Sequence, residues 1–586
     1  ILKYYIKGGN LNKKLFLSGN EALARGAWEA GLRVAASYPG TPSTEILENL
    51  TKYKEIEAEW STNEKVAFEV ALGAAIRGAR AIVSMKHVGL NVAADPLFSS
   101  AYTGVNAGFV IVSCDDPGMH SSQNEQDNRR YAKFAKIPLL EPSDPQEAYD
   151  FVKIAFELSE KFEIPVLVRL TTRVSHTKGI VYVNERKEIP LKNYTKNFSK
   201  FVLLPVNAKN RHKILEEKIL ELKKLSSQIE INRIEKGKNS LGIVTSGVSY
   251  NYAKEVFEGA WFLKLGMVYP FPEELFKEFY KNVKEVIVIE ENEPFIEEEI
   301  KILGFKAEGK KYFPILDELS CDILRKGYKN EELPHPENFE TVKRPPQLCP
   351  GCPHTGIFYS LARLKLKVFG DIGCYTLGAL PPHNAMDTCI CMGASIGNAI
   401  GYEKAGKEKI VAVIGDSTFL HSGITGLIDA VYNKGKMTLL ILDNRTTAMT
   451  GHQDHPGTGK TAKGEKTKEV NIYDIVKSAG VDEIYEVDPY NLKETLKTIK
   501  KAVESENLNV IISKRPCALL KEARENFEKK PKMKINEEKC LGEKCKACIR
   551  LGCPAISALN GKISISQILC VGCGVCKELC PQGAIN

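Results

Sequence analysis

No apolar run in the 586-residue sequence reaches the roughly 18 residues a membrane helix needs, so no helix is expected to span a bilayer. Nothing in ILKYYIKGGN joins a long apolar stretch to a small-residue cleavage site. No signal peptide is read there, and a cytoplasmic location is expected. A dominant charge is missing too. The 81 Lys and Arg stand against 73 Asp and Glu, and a net +8 is too weak a bias to argue nucleic-acid or membrane partners. No short tandem repeat of solenoid type occurs. With 26 % charged and 43 % hydrophobic residues, a disordered, collagen-like or coiled-coil chain is excluded. The abundance of Lys and Glu resembles hyperthermophile composition.

Cysteine is what the chain does have. It holds 16, eight of them between Cys540 and Cys580. A disulfide framework suits small secreted domains, so clustered thiols at the end of a large chain without a signal read as metal ligands. The tail runs Cys540-x4-Cys545-x2-Cys548-x4-Cys553-Pro and then Cys570-x2-Cys573-x2-Cys576-x3-Cys580-Pro. The second run follows the bacterial ferredoxin pattern, in which the fourth Cys serves the other cluster. Cys570, Cys573, Cys576 and Cys553 would then hold one [4Fe–4S] cluster, and Cys540, Cys545, Cys548 and Cys580 the other. The first run is spaced more widely than that pattern, which leaves a three-iron cluster open there. A pair of zinc sites is the competing reading, but zinc does not require this order. From Pro531 the tail carries eight Lys or Arg and four Asp or Glu, which suits an acidic electron carrier.

Upstream, short apolar runs alternate with helical patterns. Strands are expected at Val34–Ser37, Ala81–Met85, Phe109–Ser113 and Pro165–Leu170, with an Ala-rich helix over Glu64–Arg77. Such alternation predicts a doubly wound parallel sheet. A Lys- and Glu-rich stretch from about 207 to 239 reads as a surface helix. A second alternating unit has LGIVTS, FLKLGMVYP and EVIVIEEN as strands. PHPENFETVKRPPQ reads as a linker, a third α/β unit spans about 348–519, and KEARENFEKKPKMK reads as a charged linker into the tail.

In the third unit, a buried strand ends at Gly415-Asp416-Ser417. A second, MTLLILD, ends at Asp443-Asn444, with 26 residues between Ser417 and Asn444. The pairing resembles the thiamine diphosphate motif. A diphosphate needs a divalent cation, and Mg²⁺ wants hard oxygen ligands, which Asp416 and the Asn444 carbonyl can supply. Backbone N–H groups around Ser417 and Thr418, at a helix start, can meet phosphate. A plain dinucleotide turn competes, but no Gly-x-Gly-x-x-Gly opens the following helix.

Together with SYPGTPSTEI (37–46), NEKVAFEVALGAA (63–75), MKHVGLN (85–91), QLCPGCPHTG (347–356), GDIGCYTLG (370–378), GDSTFLHSGITGL (415–427) and LDNRTTAMTGHQDHPGTG (442–459), these motifs resemble the large (α) subunits of the indolepyruvate branch of the 2-oxoacid:ferredoxin oxidoreductases. The resemblance covers essentially the whole chain. It implies an α/β fold of thiamine-diphosphate-binding doubly wound parallel-sheet domains, a transketolase C-terminal-like α/β domain and a small two-cluster ferredoxin-like α+β domain. The implied bounds are 1–190 (pyrimidine-binding), 200–335 (transketolase C-terminal-like), 345–522 (diphosphate- and Mg-binding) and 531–586 (2×[4Fe–4S]).

The resemblance also implies oxidative decarboxylation of an aryl pyruvate with coenzyme A, ferredoxin as electron acceptor, and a small β subunit in an α2β2 hetero-oligomer. Another 2-oxoacid (branched-chain or 2-oxoglutarate) is the alternative substrate, and an electron-transfer scaffold with an inactive thiamine site is the non-enzyme alternative. Glu64 becomes the carboxylate on the aminopyrimidine N1′, where by itself it would read as a helix-start acid favoured by the dipole. Glu69 is its local competitor. Thr41 matches the turn that approaches substrate, His87 and His120 are candidate polar groups near it, and the Thr446 carbonyl becomes a third Mg²⁺ ligand. A third [4Fe–4S] cluster near the thiamine is implied, with Cys349, Cys352, Cys374 and Cys517 as ligands. Cys389 and Cys391 are an alternative pair, and buried free thiols the competing reading.

Overall fold

Apolar runs bounded by turn residues build three mainly parallel sheets in the computed structural model, which describes residues 13–331, 345–406, 408 and 410–586. The N-terminal decapeptide read for a signal and residues 334–344 of the expected linker lie outside the described residues. The chain divides into two units, Ile1–Phe339 and Glu340–Asn586. Among the described residues no helix is long and apolar enough to cross a membrane.

The first unit holds a seven-stranded sheet in the order Met267–Tyr269, Leu139–Leu140, Val166–Thr171, Phe109–Asp115, Ala81–Lys86, Val34–Ser37, Glu57–Trp60. The central strands are buried along their whole length, which is why FVIVSCD and VLVRLT read as continuous rather than alternating runs. The expected helix forms over Glu64–Arg77. Asn63 caps it by accepting the Val66 N–H at 2.9 Å, Gly78 ends it in the left-handed region, and Ala67, Phe68, Ala71 and Ala75 form its buried side. Helix Pro145–Phe162 starts with Pro after the Asp144 cap and is packed beside Gly19–Glu29. Of the Lys- and Glu-rich stretch expected as a helix to about 239, helix Pro205–Ser226 forms, and the remainder turns into strand Arg233–Glu235 of the second sheet.

FLKLGMVYP is not one strand. Trp261–Leu265 joins the second sheet, ordered Glu285–Ile289, Leu241–Ser246, Trp261–Leu265, Arg233–Glu235. After Gly266 the chain crosses over, and Met267–Tyr269 pairs antiparallel with Leu139–Leu140 at the edge of the first sheet. A Cβ at Gly266 would lie 2.8 Å from both the Ile231 carbonyl oxygen and the Phe151 ring, so only glycine lets the backbone pass there.

The second unit holds a six-stranded, wholly parallel sheet in the order Thr388–Cys389, Val368–Gly370, Val411–Gly415, Thr438–Asp443, Asn509–Lys514, Glu483–Val487. From Val368–Gly370 the chain first adds a strand on one side, then crosses by helix Ala394–Gly406 to Val411–Gly415 on the other. The switch point therefore lies between the ends of Val368–Gly370 and Val411–Gly415, where open α/β sheets form a crevice. The segment read as a charged linker is partly helical, over Lys521–Glu528. The tail pairs Ile556–Leu559 with Lys562–Ile565 as an antiparallel hairpin, and Ile535 bridges Ile585 to close the module. Its core of Met533, Leu551, Ala555, Val575 and Ile585 packs on Leu492 and Tyr490 of the parallel-sheet region.

Candidate active site

In the second unit the loops after three neighbouring strands meet at the switch point. Asp416 is the first residue of a helical run that passes through a π-turn at Phe419–Gly423 into helix Ile424–Tyr432. Its Oδ1 accepts the Ser417 N–H at 2.8 Å, and its Oδ2 accepts the Arg445 N–H at 2.8 Å and lies 3.2 Å from His455 Nε2. Arg445 takes a left-handed backbone (φ 63°), and the turn carries Asn444 and Thr446 on either side of it. Asn444 Oδ1 accepts the Thr446 N–H at 3.3 Å, and Asn444 Nδ2 lies 3.3 Å from His354 Nε2. Thr447 Oγ1 donates to Ser417 Oγ at 2.9 Å, and Thr418 Oγ1 to the Ile372 carbonyl at 3.0 Å. Gly415 is glycine for packing: a Cβ there would lie 2.6 Å from the Tyr375 ring.

The electrostatics of this pocket favour a cation. Asp416 and Asp443 are both buried. Burial, and then the Asp416 charge beside it, push the Asp443 carboxyl up to about 7. Asp416 is opposed by burial but held below the usual carboxylate range by His455 and the two N–H groups. Burial pushes His354 down to about 4, so its ring is neutral at physiological pH. Among the described residues the Thr446 hydroxyl is buried without a partner. Two crowded carboxyl groups, an amide oxygen and an orphaned hydroxyl form an oxygen-rich set that fits a hard divalent ion.

Asp371, at the end of Val368–Gly370, was not singled out from the sequence. Its carboxylate accepts the Ile372 and Gly393 N–H groups at 2.9 Å and the Ser395 N–H at 3.0 Å, tying the strand end to helix Ala394–Gly406. His354, Asp443 and His455 were also missed. Their only signal was position, at a helix start after CPGC, a strand end, and the loop after GHQD.

The cysteines fall into three sets. Burial and then the charges of Cys517, Cys349 and Cys374 push the Cys352 thiol up, and Cys374 is raised to about 11 by burial with Cys517 and Cys349 as neighbours. Cys389 and Cys391 stand apart, with Asp371 as their shared charge neighbour. In the tail, Cys540, Cys545, Cys548 and Cys580 line one small cavity with Ile535, Ile563 and Ile585. Burial, and then neighbouring thiols that include Cys570, push the Cys553, Cys573 and Cys576 thiols up. Backbone N–H groups reach two of these sulfurs, Gly572 to Cys570 at 3.4 Å and Ala584 to Cys580 at 3.1 Å. Among the described residues no three ligating side chains close on a point as they do around one metal ion. A cubane spreads its thiolates over a wider body, so groups gathered around a space fit it better than a zinc shell. Tyr490 joins the regions: its hydroxyl donates to the Gly351 carbonyl in the Cys349–Cys352 loop, and Cys573 and Cys352 are among its charge neighbours.

In the first unit, Thr41, Glu64, His87 and His120 all follow the carboxyl ends of parallel strands: Val34–Ser37, Glu57–Trp60, Ala81–Lys86 and Phe109–Asp115. Glu64 is buried, and a Cβ on Gly89 would lie 2.7 Å from its Oε1, so the glycine leaves the carboxyl its space. His87 is buried, with Nε2 3.0 Å from Asn124 Oδ1 and Nδ1 unpartnered among the described residues. Ser121 Oγ reaches the Thr41 carbonyl at 3.5 Å. His120 is half-exposed and pairs with Glu318 at 3.1 Å, apart from the buried group. Glu69 is exposed and pairs with Lys65.

The family model for the thiamine-diphosphate-binding part of pyruvate flavodoxin/ferredoxin oxidoreductases matches residues 25–220, that for the C-terminal TPP-binding domain of thiamine pyrophosphate enzymes matches 371–513, and that for 4Fe–4S binding domains matches 563–586. The indolepyruvate oxidoreductase subunit IorA of Methanothermobacter thermautotrophicus is 45 % identical over 98 % of this chain and 97 % of its own. That of Archaeoglobus fulgidus is 43 % identical over the same shares. The 2-oxoglutarate synthase subunit KorA of M. thermautotrophicus is 30 % identical over only 30 % of this chain and 50 % of its own.

Proposed function

Since the chain belongs to the IorA family of indolepyruvate oxidoreductase subunits, we propose that it is the catalytic large subunit converting aryl pyruvates, indolepyruvate first, and coenzyme A to aryl-acetyl-CoA and CO₂. The balance is one 2-oxoacid anion and one thiol giving a thioester, CO₂, one proton and two electrons. The electrons leave singly through iron–sulfur centres to ferredoxin. The enzyme is an oxidoreductase, and it carries thiamine diphosphate and [4Fe–4S] centres. The observation that supports this reading best is the switch-point pocket, where an oxygen-rich cation site, a cysteine quartet and a docked ferredoxin-type tail occur in one unit.

Thiamine diphosphate, when bound, supplies the carbon nucleophile and electron sink for decarboxylation. Asp416 and Asn444 side-chain oxygens and the Thr446 carbonyl would hold Mg²⁺ and through it the diphosphate, with the backbone of Gly415, Ser417 and Thr418 alongside. Glu64 would hold a proton at the aminopyrimidine N1′, and Thr41 and His87 would face the substrate. His120 carries least support, because Glu318 already engages it. We assign one [4Fe–4S] cluster each to the two tail quartets and a third to Cys349, Cys352, Cys374 and Cys517. A small β subunit in an α2β2 assembly and a cytoplasmic location complete the reading.

The test is viologen reduction by the complete complex, with coenzyme A, across 2-oxoacids. Indolepyruvate and other aryl pyruvates should give the highest kcat/KM. Faster turnover of 2-oxoglutarate or a branched-chain 2-oxoacid would replace the substrate assignment.

A further inference from the structure

Lys86 ends the strand Ala81–Lys86, at the edge that also presents Thr41, Glu64 and His87. It is 9 % exposed, yet forms no ion pair among the described residues. Its ammonium donates to the Ser121 carbonyl at 2.6 Å, one acceptor for a group with three N–H donors. Asp116, the nearby carboxylate, is committed elsewhere: it accepts the Ser121 N–H at 2.9 Å, Ser122 Oγ at 2.5 Å and Thr172 Oγ1 at 2.6 Å. The lysine's position is built, not incidental. A Cβ on Gly40 would lie 2.9 Å from Lys86 Cβ, so the glycine of the Thr41 turn makes room for the stem. The His87 carbonyl is fixed by Asn128 Nδ2 at 3.0 Å and Gln126 Nε2 at 3.2 Å, which pins the strand end. Ser121 links the Lys86 ammonium to the Thr41 carbonyl.

A buried ammonium whose one neighbouring carboxylate is taken up by other donors is costly, and an arriving anion would offset that cost. The lysines of the first unit's interior show the contrast. Lys153 pairs with Glu29 at 2.7 Å and Lys264 with Glu147 at 2.5 Å, each with its carboxylate in place. Building on the 2-oxoacid reading above, we infer that Lys86 receives the carboxylate of the 2-oxoacid and so sets affinity for it, beside the Thr41 turn. Burial pulls its pKa down to about 8, with Asp116 opposing, so the side chain remains mostly charged at neutral pH.

The experiment uses the complete two-subunit complex loaded with thiamine diphosphate. Calorimetry measures binding of indole-3-propionate, which has the carboxylate but no ketone, and of its amide. Kinetics measure KM for indolepyruvate and for coenzyme A. In Lys86→Met, binding of the acid should weaken about tenfold or more, the size expected for a lost charge-assisted hydrogen bond. The amide and the coenzyme A KM should not move, and Lys86→Arg should stay within about threefold of wild type. Because methionine removes a buried charge at similar volume, its complex should melt no lower than wild type. If acid and amide weaken together, or the melting point falls with both, Lys86 only ties down the Ser121 loop. If coenzyme A alone is affected, the anion is its phosphates. If neither ligand responds, the inference is wrong. Should the wild type prefer another 2-oxoacid, the aryl reading fails, and the same acid-against-amide contrast with the unreactive analogue of that substrate still decides the role of Lys86.

Discussion

The carboxyl edges of the two large parallel sheets are built on opposite electrostatic plans. Beneath the edge of the first unit, charges neutralise one another. Arg169 binds Asp115 at 2.6 Å, Glu141, and Asn292 Oδ1 at 2.9 Å, while Arg129 binds Asp127 and Glu290 at 2.6 Å each. All of these side chains are buried. At the edge of the second unit, Asp416 and Asp443 crowd each other, and the charges that offset them are His455 and Arg445, the latter already paired with Glu469 at 2.7 Å. The first lattice is closed and shapes a platform; the second is short of positive charge and suits a cation. Sites that receive a ligand are thus marked by charge left unbalanced, and sites that only hold loops by charge already paired.

The sharpest way to test that division is at Glu64, a buried acid that follows another strand of the first sheet. Glu64→Gln should fold and keep its iron but lose about 10²–10⁴-fold in kcat, the usual worth of a positioned proton-transfer group. Viologen reduction at equal iron content measures it, and near-wild-type turnover removes Glu64 from the chemistry. Next, Asp416→Ala should weaken thiamine diphosphate about 10–100-fold, and mostly through Mg²⁺. Titration with and without the metal would show the two affinities converge; an unchanged metal dependence places the cation elsewhere.

The sulfur side of the same edge gives a smaller, countable effect. Cys349→Ser should lower iron from about 12 to about 8 atoms per chain while the tail centres keep their signals. Unchanged iron would leave that quartet as thiols. The smallest effect probes the closed lattice itself. Burial pushes Glu291 up to about 7, with the Leu319 N–H and Arg169 opposing. Ionising it therefore costs stability as pH rises from about 4.5 to about 7. Glu291→Gln should match wild type at pH 4 and exceed it by about 1–3 kcal/mol at pH 8, seen as a higher Tm only at the alkaline end. No pH-dependent gain would mean the lattice already pays for the ionised carboxylate.

The contrast also explains what could be read from the sequence. Asp416 and Asn444 follow buried strands within one α/β unit, so spacing and strand pattern are enough to set them at one sheet edge. The tail cysteines are legible from their spacing alone, the Cys570-x2-Cys573-x2-Cys576-x3-Cys580-Pro run. Asp443 was passed over because it sits inside the strand TLLILD, where it reads as a strand end, and only the neighbouring carboxyl group gives it meaning. Lys86 and Asp371 lie in the segments MKHVGLN and GDIGCYTLG, but nothing in their spacing marks them as site residues. Their partners, Ser121 and Gly393, are 35 and 22 residues away and make contact through backbone atoms. His120 was selected for residue type and lies against Glu318 instead. The strand FLKLGMVYP was read as one because apolar content is continuous across Gly266, whereas the break depends on how closely Ile231 and Phe151 approach.

That break has a bearing on how the protein is made. Leu139–Leu140 would be an outer strand of the first sheet, and the segment that covers it, Met267–Tyr269, leaves the ribosome more than a hundred residues later. Until then the nascent sheet has a bare rim, able to recruit a strand from another chain. A fragment ending near residue 190 would keep the five inner and far-edge parallel strands of the first sheet and still expose that rim permanently, so solubility on expression should return only when the chain is extended past Tyr269.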